Sequence, residues 1–212
     1  MAEAKLSAHL AAREQEILGH PERIPPLPRD ELLDEAMAMW TDLRSNFAGH
    51  RVEPGHPDDL PAIFFTVLRR RELWAALTEM TFQVTGKSHL SVRDRELVVL
   101  RTAWLLEAPY EWGEHVGKAK DGGVTDAEIE QVITGSSHPA WSRGDAALMA
   151  MAEELQSRAM ISDETWSELA VMYNEEQLME LPLLVGQYQM VAFFQNALRL
   201  PLRGVNQGLR TR

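Results

Sequence analysis

Three ionisable residues stand among apolar and aromatic neighbours in a pattern that suggests chemistry: Glu96, Glu111 and His115, within ELVVLRTAWLLEAPYEWGEHVGKAKDGG, residues 96–123. Glu111 and His115 are four residues apart, so on a helix their side chains share one face. Glu96 precedes Glu111 by fifteen residues, across a break at Pro109, and an antiparallel helical hairpin would bring it to the same face. Apolar walls raise a carboxylate's pKa, and a neighbouring imidazole shifts or pairs with it. Such a group can pass protons near neutral pH. Tyr110, Trp112 and Trp104 are candidate pocket residues that would exclude water and hold a flat or ring-shaped substrate. Two other readings stay open at this point. A solvated Glu–His pair on an amphipathic helix contributes little. Two carboxylates and an imidazole could also hold iron, manganese or zinc, although the spacing is neither HExxH nor the ExxH of di-iron bundles. The reading adopted includes no metal site.

The elements that must position these residues read as helices throughout. Ser91 with Asp94 is a loose capping box opening a helix to about Leu106, apolar nearly all round and so expected to be buried. A second helix runs from about Tyr110 to Asp121 and stops at Gly122-Gly123. Thr125 with Glu128 caps a short helix ending near Gly135, and helices follow at about 143–158, 163–173 (capped by Ser162) and 175–198. Pro182 should kink the last helix or mark its true start. Its amides Gln187, Gln189, Gln195 and Asn196 need partners wherever they are buried. Upstream, residues 3–18 form an amphipathic helix marked by Leu6, Leu10, Ile17 and Leu18, either an arm for a neighbouring subunit or a loosely docked terminus. HPERIPPLP, residues 20–28, is an extended connector; Asp30–Phe47 is a helix; residues 61–84 form one or two more. His50 and His56 read as solvated loop residues, and Arg69–Arg71 as a solvated helix junction. No period-two alternation competes, so the fold class is all-α.

Composition bounds the partners. A chain of 212 residues can bury a sizeable core without staples, and its apolar fraction is an ordinary 45%. It has no cysteine, which leaves no disulfide, thiolate nucleophile or Cys-ligated metal, and a cytoplasmic location is the simplest expectation. The net charge of −11 argues against nucleic acid and anionic lipid as partners. No signal peptide and no apolar run of about 18 residues is present, so no membrane span is expected.

RDRELVVLR, the YEWGEH block and GVTDAEIE resemble the signature segment of the carboxymuconolactone decarboxylase family, which includes the alkyl hydroperoxidase D-like proteins. The later SDETWSELAVMYNEEQLMELPLLVGQYQMVAFFQNALRLPL resembles the family's C-terminal half. The resemblance spans about residues 60–202 and implies an alkyl hydroperoxidase D-like helical bundle that assembles into trimers or hexamers. It suggests a helical extension and linker over 1–55 and a family domain over 56–212. Hydroperoxidase members use a Glu, a CxxC pair and a His. Glu96 and His115 match the first and last, but the cysteine positions fall on Ala108 and Glu111. Thiol peroxidase chemistry is therefore not expected. Decarboxylase members also lack the CxxC pair. Their reaction removes carbon dioxide from a carboxylated enol-lactone and reprotonates the ring, without metal or organic cofactor. The implied roles are His115 as acid or oxyanion donor, Glu111 orienting and charging it, and Glu96 relaying protons or donating a hydrogen bond. A small di-acid substrate needs cations, and the candidates are Arg93, Arg95, Arg101, Arg69–Arg71 and Lys118. The alternative is a non-catalytic helical oligomer that binds a small apolar ligand or a partner protein.

Overall fold

The computed structural model describes residues 2–48, 53–60, 63–202 and 204–212; His50 lies outside them. In chain order the helices are α1 (Ala2–Leu18), α2 (Arg29–Ala48), α3 (Ile63–Val67), α4 (Arg71–Val84), α5 (Val92–Leu105), α6 (Pro109–Asp121), α7 (Asp126–Thr134), α8 (Arg143–Arg158), α9 (Asp163–Met172) and α10 (Glu175–Leu198). Short 3-10 turns occupy Pro57–Asp59, Leu68–Arg70 and Gly208–Arg210. No strand occurs among the described residues, and the all-α reading holds. The chain forms two compact units, Met1–Pro21 with His89–Arg212, and Glu22–Ser88.

The larger unit is assembled on α5. Leu97, Val98, Val99, Leu100 and Ala103 are wholly buried, because α6, α7, α8 and α10 all pack against this helix. Full burial of a Val or Leu side chain is worth roughly 1.5–3 kcal/mol, and the polar Glu96, Arg101 and Thr102 of the same helix are buried with hydrogen-bond partners. The helix starts are fixed by side-chain caps. Ser91 Oγ accepts from the Asp94 N–H at 3.0 Å, and Ser142 and Ser162 do the same for α8 and α9. Thr125 with Glu128 and Asn174 with Gln177 form reciprocal capping boxes. Pro182 neither starts nor ends a helix: α10 begins at Glu175 and runs through it to Leu198.

α1 docks within its own unit. Ile17 is buried, Glu14 Oε1 accepts from the Leu209 N–H at 2.8 Å, and His9 and Arg13 reach the Glu107 carboxylate. The smaller unit packs α2, α3 and α4 around Ala36, Leu60, Phe64, Phe65 and Leu68. Residues 61–84 thus resolve into two helices joined by a 3-10 turn, where Arg69 donates to the Pro25 carbonyl at 2.8 Å and Arg71 to Glu35 Oε2 at 2.6 Å. An open cleft of about 490 Å³ lies between α2 and α4, with Met39, Leu43, Trp74 and Phe82 in its wall.

Candidate active site

The α5–α6 corner creates the site. Glu107 adopts a left-handed conformation with φ of 47°, and Pro109 starts α6 at a position where its missing N–H is no loss. The Ala108 N–H reaches back to the Ala103 carbonyl at 3.0 Å. A non-glycine residue at positive φ is held only where its surroundings fix it; here α1 holds the Glu107 carboxylate through His9 and Arg13. The reversal lays α6 antiparallel to α5 and brings Glu96 against His115.

Glu96, Glu111 and His115 are all buried, at 2%, 3% and 3% exposure. Each imidazole nitrogen meets a different carboxylate. Nδ1 lies 2.6 Å from Glu96 Oε2, and Nε2 lies 3.1 Å from Glu111 Oε1. Lys118 Nζ approaches the same Nε2 at 3.2 Å. Behind Glu96, the Arg95 guanidinium stands 3.3 Å from Oε1. Tyr188 of α10 closes the opposite side, its ring T-shaped to the imidazole with centroids 4.9 Å apart. Glu111 Oε2 is buried and has no hydrogen-bond partner among the described residues.

The electrostatics follow from this packing. Burial acts to raise the Glu96 pKa, but the His115, Lys118 and Arg95 charges and the His115 hydrogen bond outweigh it, lowering it from the ordinary 4.5 to about 2. Burial and the Lys118 charge act against a protonated His115, yet Glu96 and Glu111 prevail and hold its pKa above the ordinary 6.5. Tyr188 is driven far upward by burial and then by the Glu111 and Glu96 charges, so it remains a neutral phenol. The carboxylates bind opposite ring nitrogens instead of converging with the imidazole on one point. Correspondingly, no group of three metal-ligating side chains occurs among the described residues.

The aromatic candidates stand elsewhere around α6. Trp112 is wholly buried, pairs with Trp104 at 4.9 Å between ring centroids, and donates from Nε1 to the Thr211 carbonyl at 3.0 Å. The Arg212 guanidinium lies about 6 Å from both rings. Tyr110 offers its carbonyl to Asn206 Nδ2 at 3.0 Å. These contacts tie the C-terminal segment to α6. Of the candidate cations, Arg93 is engaged with Asp145 and Glu128, while Arg101 is engaged with Glu153 and the carbonyls of Val132 and Ile133. Only Arg95 and Lys118 belong to the cluster. Sequence reasoning missed Tyr188, because nothing in the run LLVGQYQMV tells which turn of α10 faces His115. Lys118 at i+3 from His115 was the available signal for the second cation.

Residues 71–155, from α4 through most of α8, match the Carboxymuconolactone decarboxylase family. That stretch, less than half of the chain, is similar to the family. Among solved structures, an uncharacterised peroxidase-related protein from Ralstonia eutropha JMP134, described as an alkylhydroperoxidase AhpD core, is similar with a TM-score of 0.68 at 14% identity, covering 87% of this chain and 94% of that one. A peroxidase-related protein from Silicibacter sp. TM1040 gives 0.68 at 14% identity, with coverage of 88% and 95%. The debrominase Bmp8, solved as a variant with 2,3,4-tribromopyrrole, gives 0.65 at 16% identity, with coverage of 86% and 92%. At these identities the likeness is one of fold. No curated protein matches the sequence. The chain has no cysteine.

Proposed function

We propose that this protein is an enzyme of proton transfer, a decarboxylase or related isomerase acting on a small cyclic carboxylated lactone or similar acid, with His115 as its acid. The supporting observation is the buried imidazole with one carboxylate on each nitrogen. Glu96 accepts from Nδ1–H, fixes the ring orientation and favours the charged form. That leaves Nε2–H, next to Glu111, as the proton to be delivered. In the decarboxylation, the bond to the carboxyl carbon breaks, carbon dioxide leaves, and the electron pair spreads onto the lactone carbonyl as a dienolate. Nε2–H then protonates the ring carbon, and a proton taken up from solvent restores the imidazolium, so one proton is consumed for each carbon dioxide released. No step calls for a cofactor or a thiol. A debrominase of the same fold holds a small flat heterocycle, a ligand of comparable size. Turnover of carboxymuconolactone, followed by ultraviolet absorbance, tests the reading. Wild-type protein should consume it, and His115→Ala should be slower by about 10²-fold or more while keeping its helical content. Equal turnover by the two would remove His115 from the mechanism. An inactive wild type would remove the named substrate and move the search to other lactones and cyclic keto-acids.

The assembly belongs to the same proposal. α10 exposes Met179, Leu183, Met190 and Phe193, in steps of four and three residues around Gly186, where an added Cβ would meet nothing. The stripe is nearly symmetric about Gly186, so two antiparallel α10 helices would match apolar with apolar and bring Glu175 and Glu176 of one toward Arg199 of the other. A two-fold contact of this kind joins trimers into a hexamer and is absent from a lone trimer. A non-catalytic reading draws on the apolar wall of the α2–α4 cleft. Binding of a hydrophobic dye that Trp74→Ala abolishes and His115→Ala leaves intact would favour it.

A further inference from the structure

We infer that Lys118 is a second catalytic residue of this site: its ammonium takes the negative charge that develops on an enolate oxygen while His115 Nε2 delivers a proton to the adjacent carbon. This rests on the proton-transfer reading above and assigns the oxyanion role within it.

One nitrogen of His115 has two partners that its single valence cannot serve at once. His115 Nε2 can donate to Glu111 Oε1 at 3.1 Å only when it carries a proton. It can accept from Lys118 Nζ at 3.2 Å only when it does not. Both partners are within reach and their bonds exclude each other, so they define the states before and after a proton leaves Nε2. Lys118 thus serves the deprotonated state, and an ammonium placed beside the proton donor addresses the atom next to the one being protonated.

The surrounding charges point the same way. The groups facing His115 are Arg95 and Glu96 from α5, Glu111 and Lys118 from α6, and Tyr188 from α10. Two carboxylates and two cations balance around a neutral imidazole and leave one positive charge in excess around a charged one, with Tyr188 a neutral phenol. The armed site therefore calls for an anion. Lys120, two residues away, pairs with Asp126 at 2.7 Å, whereas no ion pair to Lys118 occurs among the described residues. Lys118 is exposed while His115 is buried, which places the ammonium on the side from which a ligand arrives. The unpartnered Glu111 Oε2 is a second buried polar atom that an incoming hydrogen-bond donor would satisfy. In the decarboxylation, the electron pair released by the breaking carbon–carbon bond moves to the carbonyl oxygen, where Lys118 donates a hydrogen bond. As the ring carbon takes the Nε2 proton, the charge on oxygen disappears, and Lys118 returns to the lone pair of the now neutral imidazole. A preorganised donor at the site of developing charge is usually a large part of catalysis.

The probe is tetronic acid, a small lactone ionised as its enolate at neutral pH. Binding to the full-length protein by isothermal calorimetry should weaken at least tenfold in Lys118→Met and be largely recovered in Lys118→Arg. In the ligand-free protein, the His115 ring resonances should titrate at higher pH in Lys118→Met than in wild type, because a neighbouring cation is gone. Wild-type tetronate affinity in Lys118→Met, no tetronate binding by wild type, or an unmoved His115 titration would each overturn the assignment. Loss of tetronate binding in Lys118→Met without turnover of any lactone keeps the enolate site and removes the reaction. Turnover that depends on His115, with tetronate binding indifferent to Lys118, keeps the reaction and removes the role of Lys118.

Discussion

Glu96 and His115 stabilise the fold through each other, and the pH at which each does so can be worked out. Glu96 is held at about 2 instead of 4.5, so its stabilisation is complete above about 4.5 and is lost as pH falls through about 2. His115 is held above 6.5, so its stabilisation is complete below about 6.5 and is lost as pH rises through its folded-state value. The pair therefore contributes most between about 4.5 and 6.5. Thermal melts from pH 2 to 9 should show Glu96→Gln less stable than wild type in that window, with the two curves approaching each other toward acid. Parallel curves across the acid range would mean that the pair does not carry this linkage. Glu96→Gln should also lower the His115 pKa and shift any activity profile toward lower pH, because the anion holding the imidazolium is gone.

At the scale of the element, α6 has two working sides. One presents Glu111, His115 and Lys118. The other, at Gly113, receives the C-terminal segment, where a Cβ would stand 1.7 Å from Asn206 Oδ1. Asn206 cannot swing aside freely: Oδ1 accepts from the Gly208 N–H at 2.8 Å, and Nδ2 donates to the Tyr110 carbonyl at 3.0 Å and to Glu114 Oε1 at 3.2 Å. Gly113→Ala should therefore destabilise by roughly 1–3 kcal/mol, the usual cost of overpacking. Combined with Asn206→Ala, which removes the clashing group, its effect should be much smaller than in the wild-type background. Additive losses in this double-mutant cycle would show that the clash is not the cause.

At the scale of the whole molecule, the net charge is −11, and α10 carries an exposed apolar stripe. Phe193 is 58% exposed, at the C-terminal end of the stripe. In the proposed two-fold contact, Phe193→Glu removes apolar area and sets a charge against the apolar Met179 of the second copy. If α10 forms the proposed contact, the substitution should lower the mass in solution, read by light scattering coupled to size-exclusion chromatography, without lowering helical content. An unchanged mass would place the contact elsewhere. Among the described residues, no helix is long and apolar enough to cross a membrane.

The helices were legible in the sequence because their signals are local. Ser91, Thr125 and Ser162 cap the helices they precede, Gly122-Gly123 stops α6, and the apolar run Leu97–Leu100 marks α5 as a buried helix. The pairing of Glu96 with His115 was legible for the same reason: a proline-broken hairpin with a short corner leaves the two helices one way to fold back. Tertiary structure decided what lies across from these elements. Tyr188 reaches His115 from a helix more than seventy residues away, and Trp112, read as a pocket wall, spends its N–H on the Thr211 carbonyl at the far end of the chain. Spacing along a helix fixes which residues share a face. Which partner fills that face depends on packing between distant segments, and no local pattern in the chain encodes it.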